Sequence, residues 1–215
     1  MTAQYGPREF ARDFSVSRET LERFEQYAAL LGRWGKAVNL IGPATASDIW
    51  RRHFADSAQL LALAPSFRTW VDLGSGAGFP GLVIAILTAN QEDRAVHLVE
   101  SNARKCAFLS DVARRTGVEV RVHDKRVADA TREIGVADVV SARALAPLPD
   151  LLGHAVGFMR DGGFGLFPKG RDAQKEIEDA RRDWAFQWKT SPSRTDSEAQ
   201  IIKVWSLEAK RDKGL

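Results

Sequence analysis

A single cysteine, Cys106, is all that this 215-residue chain carries. That excludes a disulfide framework and a zinc site built from cysteines. No apolar run approaches the length of a membrane span, and residues 1–14 are charged throughout, without the apolar stretch of a secretory signal. The expectation is a soluble, cytoplasmic protein with no membrane partner and no metal. Internal repeats and low-complexity tracts are missing too. Charge of one sign is scarce: 31 Lys and Arg against 28 Asp and Glu leave a formal net charge of +3. The excess is local, however. Ser101 to Ala130 holds seven basic residues (Arg104, Lys105, Arg114, Arg115, Arg121, Lys125, Arg126) against four acids. Such a stretch is either ordinary solvated helix surface or a face for a polyanion.

What is present starts with hydrophobic content. At 44% hydrophobic residues, the chain can bury one good core with an appendage rather than two full domains. The appendage is expected at residues 1–66, as a helical cap. Ser17 reads as an N-cap followed by Leu21, Phe24, Ala28 and Leu31 at helical spacing. A loop with Asn39, Gly42 and Pro43 follows, then a second helix from about Ser47 with Trp50, Phe54, Ala58 and Leu61 on one face, ended by Pro65. Residues 67–215 then alternate in period. Strands are expected at 69–73, 95–100, 119–123, 137–141 and 163–168, with helices at 80–89, from about 102, at 148–159 and at 172–182. Two late strands, 186–190 and 201–207, lack room between them for a crossover helix and read as an antiparallel hairpin at one sheet edge. The fold class is therefore α/β: a mostly parallel, doubly wound sheet with an antiparallel last strand, as in Rossmann-like methyltransferases.

The most informative stretch is Thr69 to Leu82, Thr-Trp-Val-Asp-Leu-Gly-Ser-Gly-Ala-Gly-Phe-Pro-Gly-Leu. A strand runs into a turn of small residues (Gly74, Ser75, Gly76, Gly78), and Pro80 suits a first helical position. A ligand can then touch backbone N–H groups directly. A dinucleotide fits poorly. The third glycine comes one position early for G-x-G-x-x-G, with Phe79 where that fingerprint needs glycine. Asp72, ending the strand, would repel a pyrophosphate but suits the ammonium and sulfonium of S-adenosyl-L-methionine. Glu100, ending the next strand, can accept from both ribose hydroxyls. A tight turn with no ligand is the plain alternative.

Ligands in such sheets sit beyond the carboxyl ends of the strands. That places Val127 and Ala128 beside an adenine, or in a plain connection. Arg143 falls in a segment otherwise short of charge, where burial without a carboxylate or ligand partner would be expensive. Lys169 lies at the crevice mouth. Two chemistries find no residues here. Cys106 is on the helix after Glu100 rather than beside a pyrimidine, and Ser141-Ala142-Arg143-Ala144 stands where amine methylation commonly uses Asn/Asp-Pro-Pro-aromatic. The acceptor should already be nucleophilic at neutral pH, as guanine N7 is, so that alignment suffices and no general base is needed.

Several segments together carry a resemblance. They are Trp34 to Ile41 (Trp-Gly-Lys-Ala-Val-Asn-Leu-Ile), Arg52 to Ser57 (Arg-His-Phe-Ala-Asp-Ser), Val71 to Gly81, Glu100-Ser101 with Arg104-Lys105 and Phe108-Leu109, Arg126-Val127, Ser141-Arg143-Ala144 and Lys169-Gly170. At these residues the chain resembles the bacterial small-subunit (16S) ribosomal RNA guanine-N7 methyltransferases, also called glucose-inhibited division protein B. The resemblance implies methyl transfer from S-adenosyl-L-methionine to N7 of one guanine, by a monomer acting on a 30S subunit or assembly particle. By position, Gly74, Phe79, Val127, Ala128 and Arg143 match the family's cofactor contacts, Arg143 with a positioning role. Members often carry an acid where this chain has Ala128; Asp129 follows it. His53 and Asp56 read as residues that hold the cap on the crevice. Arg52, Lys105, Lys125, Arg126, Lys169 and Arg171 are the phosphate candidates. Open alternatives are a methyltransferase with another acceptor, a non-catalytic S-adenosyl-L-methionine-binding module and a dinucleotide oxidoreductase.

Overall fold

The computed structural model describes residues 5–35, 38–42, 47–64 and 66–210, without the side chain of Arg160. Lys36, Ala37, Pro43 and Pro65, which figure in the motifs and boundaries above, lie outside the described residues.

The cap begins with a helix that the apolar spacing did not announce. Helix α1 spans Pro7–Phe14. Its start is nonetheless written in the sequence: Pro7 occupies the first turn, and the Glu9 carboxylate accepts from Gly6 N at 2.9 Å. Helix α2, Arg18–Trp34, is capped as expected, Ser17 Oγ accepting from Thr20 N at 3.2 Å. Its buried face is rotated from the expected one. Phe24, Tyr27, Leu30 and Leu31 are buried, while Leu21 and Ala28 are only partly so. The third helical stretch, α3, changes its winding twice: π spacing over Trp50–Ala55, α spacing over Asp56–Ala58 and 3-10 spacing over Gln59–Leu63. Such π turns recur at functional sites because they re-aim side chains.

The remainder alternates as expected. Strands are β1 (Thr69–Leu73), β2 (Ala95–Glu100), β3 (Arg121–Asp124), β4 (Ala137–Ser141), β5 (Met159–Lys169), β6 (Trp184–Pro192) and β7 (Gln200–Ala209). The helices between them are α4 (Gly81–Leu87), α5 (Ala103–Thr116), α6 (Val127–Ile134), α7 (Leu148–Ala155) and α8 (Ala173–Asp183). Three details differ from the sequence reading. Pro80 is the N-cap of α4 rather than its first residue. The segment after β3 is helical from Val127, not a plain connection. Strand β5 starts at Met159, where α7 gives way to one 3-10 turn, Val156–Phe158.

One seven-stranded sheet runs in the order β3-β2-β1-β4-β5-β7-β6. The first five strands are parallel, and β7 is antiparallel to both β5 and β6. β7 therefore inserts between β5 and β6, and the expected hairpin forms the edge. Strand order reverses between β1 and β4, which opens a crevice at their carboxyl ends. One face of the sheet packs on α4, α5 and the cap through Phe24, Phe54, Trp70, Ile84 and Phe108, all fully buried. The other packs on α7 and α8 through Val71, Leu148, Leu152, Phe167 and Ile177. Among the described residues no helix is long and apolar enough to cross a membrane, and no three His, Cys, Asp or Glu residues cluster to hold a metal.

Candidate active site at the sheet crevice

The turn after β1 is held by its own backbone. Gly74, Gly76 and Gly78 have φ of +64°, +57° and +92°. Ser75 O accepts from Gly78 N at 2.7 Å and Phe79 N at 3.2 Å, and Ser75 N donates to Val99 O at 3.0 Å. Glu100 braces it from the neighbouring strand. One carboxylate oxygen accepts from Gly76 N at 2.9 Å and the other from Asn102 N at 2.8 Å. Above Gly76 there is room: a Cβ built there would find its nearest neighbour, Gly74 O, at 3.7 Å.

Asp72 is placed differently from the sequence expectation of a carboxylate facing the ligand. It has no exposed surface. One oxygen accepts from Ser141 Oγ at 2.7 Å and the other from Gly81 N at 3.1 Å. Ser141 in turn accepts from Trp70 Nε1 at 2.8 Å. The register explains this, because Asp72 lies beside Ser141 across the β1–β4 pair. Burial pushes the Asp72 carboxyl up to about 6 against these hydrogen bonds and the nearby Arg143 charge. Asp72 thus ties β1, β4 and the start of α4 together beneath the turn.

The opposite wall is built from side chains of distant segments. Arg143 follows β4. Its guanidinium donates to Arg52 O at 3.0 Å, to His53 Nδ1 at 2.7 Å and to Asp56 Oδ2 at 3.4 Å. The π turn of α3 and the residue after it supply all three acceptors. Arg143 also lies 5.0 Å over the Phe79 ring, against which His53 stacks at 4.8 Å. Desolvation, then the Arg143 and Arg52 charges, lower the His53 pKa to about 3. Neutral His53 can therefore accept from Arg143 through Nδ1, leaving the proton on Nε2. Asp56 Oδ1 accepts from Thr195 Oγ1 at 2.8 Å and Gln59 Nε2 at 2.9 Å. Gln59 Oε1 accepts from Arg194 N at 2.8 Å. The cap is thereby tied to the β6–β7 loop. Tyr27, stacked on Phe79 at 5.5 Å, donates to Ala77 O and ties the cap to the glycine turn as well.

Between these walls lies a cleft of about 690 Å³, and a neighbouring lobe of about 260 Å³ shares Gly74, Gly76, Lys105 and Ala144 with its lining. The cleft brings together Gly74, Ser75, Gly76, Phe79, Arg52, Lys105, Arg143 and Lys169. The lobe takes in Glu100, Lys125 and Val127. Gly78 is buried behind the turn. Ala128 and Asp129 lie exposed on the first turn of α6, outside both spaces, and Arg126, the N-cap of α6, and Arg171 are exposed. Lys125 pairs with Glu133.

Lys169 already has partners within the protein. Its side chain is 10% exposed, donates to Ala146 O at 2.7 Å and pairs with Glu176 at 2.7 Å. Glu176 also accepts from Leu148 N at 2.6 Å. Lys169 thereby fastens the loop after β4 to α8. Between this clamp and Arg143 sits Ala144, at φ +53°. Sequence reasoning missed Glu176 and Thr195, which no local pattern marks, and named Ala144 without its left-handed backbone.

Three comparisons bear on this geometry. A family model described as rRNA small subunit methyltransferase G (GidB) matches residues 20–201. A protein of Methylorubrum populi named ribosomal RNA small subunit methyltransferase G is 51% identical over 195 residues, covering 91% of this chain and 92% of its own length. A Rhodospirillum centenum protein of the same name is 52% identical over 197 residues, covering 91% and 88%. Among solved structures, Aeropyrum pernix fibrillarin with natively bound S-adenosyl-L-methionine superposes with a TM-score of 0.56 at 17% identity, over 72% of this chain and 75% of that one. A precorrin-6y C5,15-methyltransferase from Geobacter metallireducens gives 0.53 at 13%, over 79% and 91%. These two likenesses concern the fold, a Rossmann-like sheet.

Proposed function

We propose a function on a plain premise: the chain belongs to the rRNA small subunit methyltransferase G family. On that premise it transfers a methyl group from S-adenosyl-L-methionine to N7 of one guanine in small-subunit (16S) ribosomal RNA, within a 30S subunit or an assembly particle. It does so as a cytoplasmic monomer. Residues 1–66 serve as the cap and 67–215 as the transferase domain.

The observation that carries this reading is the meeting of two walls at the strand-order reversal, with Glu100 bracing the glycine turn on one side and Arg143 held by the cap on the other. The chain's groups fit the cofactor. Gly76 leaves room at the turn, and the lobe lined by Glu100 and Val127 adjoins the cleft lined by Phe79 and Arg143. The Gly74–Phe79 turn, Glu100, Val127 and Arg143 would hold it. S-adenosyl-L-methionine, when bound, supplies a methyl on a sulfonium. The protein's part is to bind, to align and to exclude water. Guanine N7 carries no proton, so its alignment is enough. The cleft accordingly needs no general base, and His53 is unsuited to that task with a pKa of about 3.

The test is methyl transfer from labelled S-adenosyl-L-methionine to small subunits from cells lacking this protein, with the modified base mapped by mass spectrometry. One new N7-methylguanine in the small-subunit RNA is the expected result. Cofactor binding without incorporation into subunits or free RNA would move the activity to another acceptor or to a binding module.

A further inference from the structure

A second basic surface lies on the cap side of the cleft, away from the strand-end cations that the sequence singled out. A recess of about 250 Å³ is lined by Tyr5, Arg12, Phe14, Arg51, Arg194 and Thr195, with Asp13 and Ala55. The arginines come from α1, from the π turn of α3, and from the β6–β7 loop. Two of them are fixed from behind. Arg51 donates through Nε to Thr195 O at 3.2 Å. Arg194 lays its guanidinium 5.2 Å over the Phe14 ring, and its backbone N is bonded to Gln59. Each fork is therefore oriented through its Nε or its flat face, which leaves terminal N–H groups available to a ligand. Arg12 is engaged by Asp13 at 3.0 Å. Among the described residues, no carboxylate forms an ion pair with Arg51 or Arg194. Thr195 lines both this recess and the main cleft. The two spaces are neighbours on one surface.

We propose that Arg51 and Arg194 form a docking site for the phosphodiester backbone of the RNA strand flanking the target nucleotide. This rests on the proposed function above. A base reaching a buried methyl must leave its stack, and the backbone on either side then needs holding in single-stranded form. Two pre-oriented guanidinium forks suit phosphate oxygens, which take paired N–H donors. The recess has an aromatic edge at Phe14 and Tyr5, in keeping with a single strand whose bases can stack rather than a duplex groove. The route also accounts for the cap. The same segment that holds Arg143 carries Arg51 and places it beside the cleft mouth.

The charge-reversed pair Arg51→Glu with Arg194→Glu tests this, assayed on small subunits with the Arg→Lys pair alongside. The expected result is a KM for subunits raised at least about tenfold, with kcat and S-adenosyl-L-methionine affinity unchanged. The slope of log affinity against log salt should fall by about 0.7–0.9 for each phosphate no longer engaged. The lysine pair should keep the wild-type slope. If the glutamate pair does not fold, Arg51→Gln with Arg194→Gln should show the same loss of slope. An unaltered KM and slope would overturn the docking site while wild-type methylation leaves the function standing. No methylation by the wild type would remove the function and the site together. Loss of affinity for intact subunits, but not for protein-free RNA, would assign the recess to an acidic protein surface and overturn the proposal.

Discussion

The two walls of the crevice are built by different means. On the side proposed for the methyl donor, the Gly74–Phe79 turn and Glu100 are joined mainly through backbone N–H groups over a short span of chain. On the side proposed for the acceptor, Arg143 is held by side chains and a carbonyl about ninety positions earlier, and through Asp56 it reaches Thr195 in the last hairpin. The first wall is a local conformation, set by positive φ angles that glycine adopts without strain. The second is a tertiary assembly that exists only once the cap is docked. Damage to the first should abolish ligand binding. Damage to the second should weaken ligand binding far less and chiefly spoil alignment.

That contrast is broken most severely from the donor side. Gly76→Val adds a branched side chain at φ +57°, and Glu100→Ala removes the acceptor of two backbone N–H groups. A buried donor left unsatisfied costs about 1–3 kcal/mol, and these two, being only part-buried, cost less. Both variants should lose S-adenosyl-L-methionine affinity by about a hundredfold or more while keeping a cooperative thermal transition. Calorimetry reads this directly, and wild-type affinity in both would sink the assignment of the donor wall. On the other side, Arg143→Ala should lower turnover by about 10²-fold, the scale of a roughly 1 Å misplacement. Its cofactor affinity should fall far less. Arg143→Lys should not rescue it, because one ammonium cannot reproduce the planar fork shared among Arg52 O, His53 and Asp56. Wild-type turnover would make Arg143 a structural ion pair only.

The same contrast explains what could be read from the sequence. The glycine turn, the strand that ends at Glu100 and the parallel sheet were legible because strand period and glycine spacing are local signals; that Glu100 would accept from Gly76 N and Asn102 N was not. Helix α1 was also written locally, in Pro7 and Glu9, but its pattern is too short for periodicity to stand out. Asp72 defies a local reading because its neighbours in the chain do not show that Ser141 and Gly81 N will take its oxygens. That outcome depends on which strand lies beside β1. Lys169 does so for the same reason, since Glu176 arrives from the next helix. A cation at a strand end looks alike whether it awaits phosphate or already has a carboxylate.

Lys169→Met sharpens this point with a smaller effect. If Lys169 is a clamp, the loop after β4 loses its anchor to Ala146 O and Glu176 while α8 remains. Turnover should then fall by about three- to tenfold, a small part of the cost of full misalignment. The salt dependence of subunit binding should not change. A slope reduced by about 0.7–0.9 would instead restore the phosphate contact.

The smallest effect belongs to Ala144, which sits between the two anchors of that loop. At φ +53° an alanine occupies the left-handed region, at a cost of about 1–2 kcal/mol. Ala144→Gly relieves that strain but gives the unfolded chain more freedom, which takes back about 0.4–1 kcal/mol. The net should be a slight rise in thermal stability, between about 0 and about 1.6 kcal/mol by that arithmetic. Activity should move the opposite way. Arg143 on one side and the Lys169–Glu176 pair on the other impose the loop's path, and alanine admits fewer departures from it than glycine would. A more stable but slower variant would show that the acceptor wall is tensioned by its anchors. A variant that melts earlier would show that the left-handed alanine is not strained, and the loop would then be merely fastened.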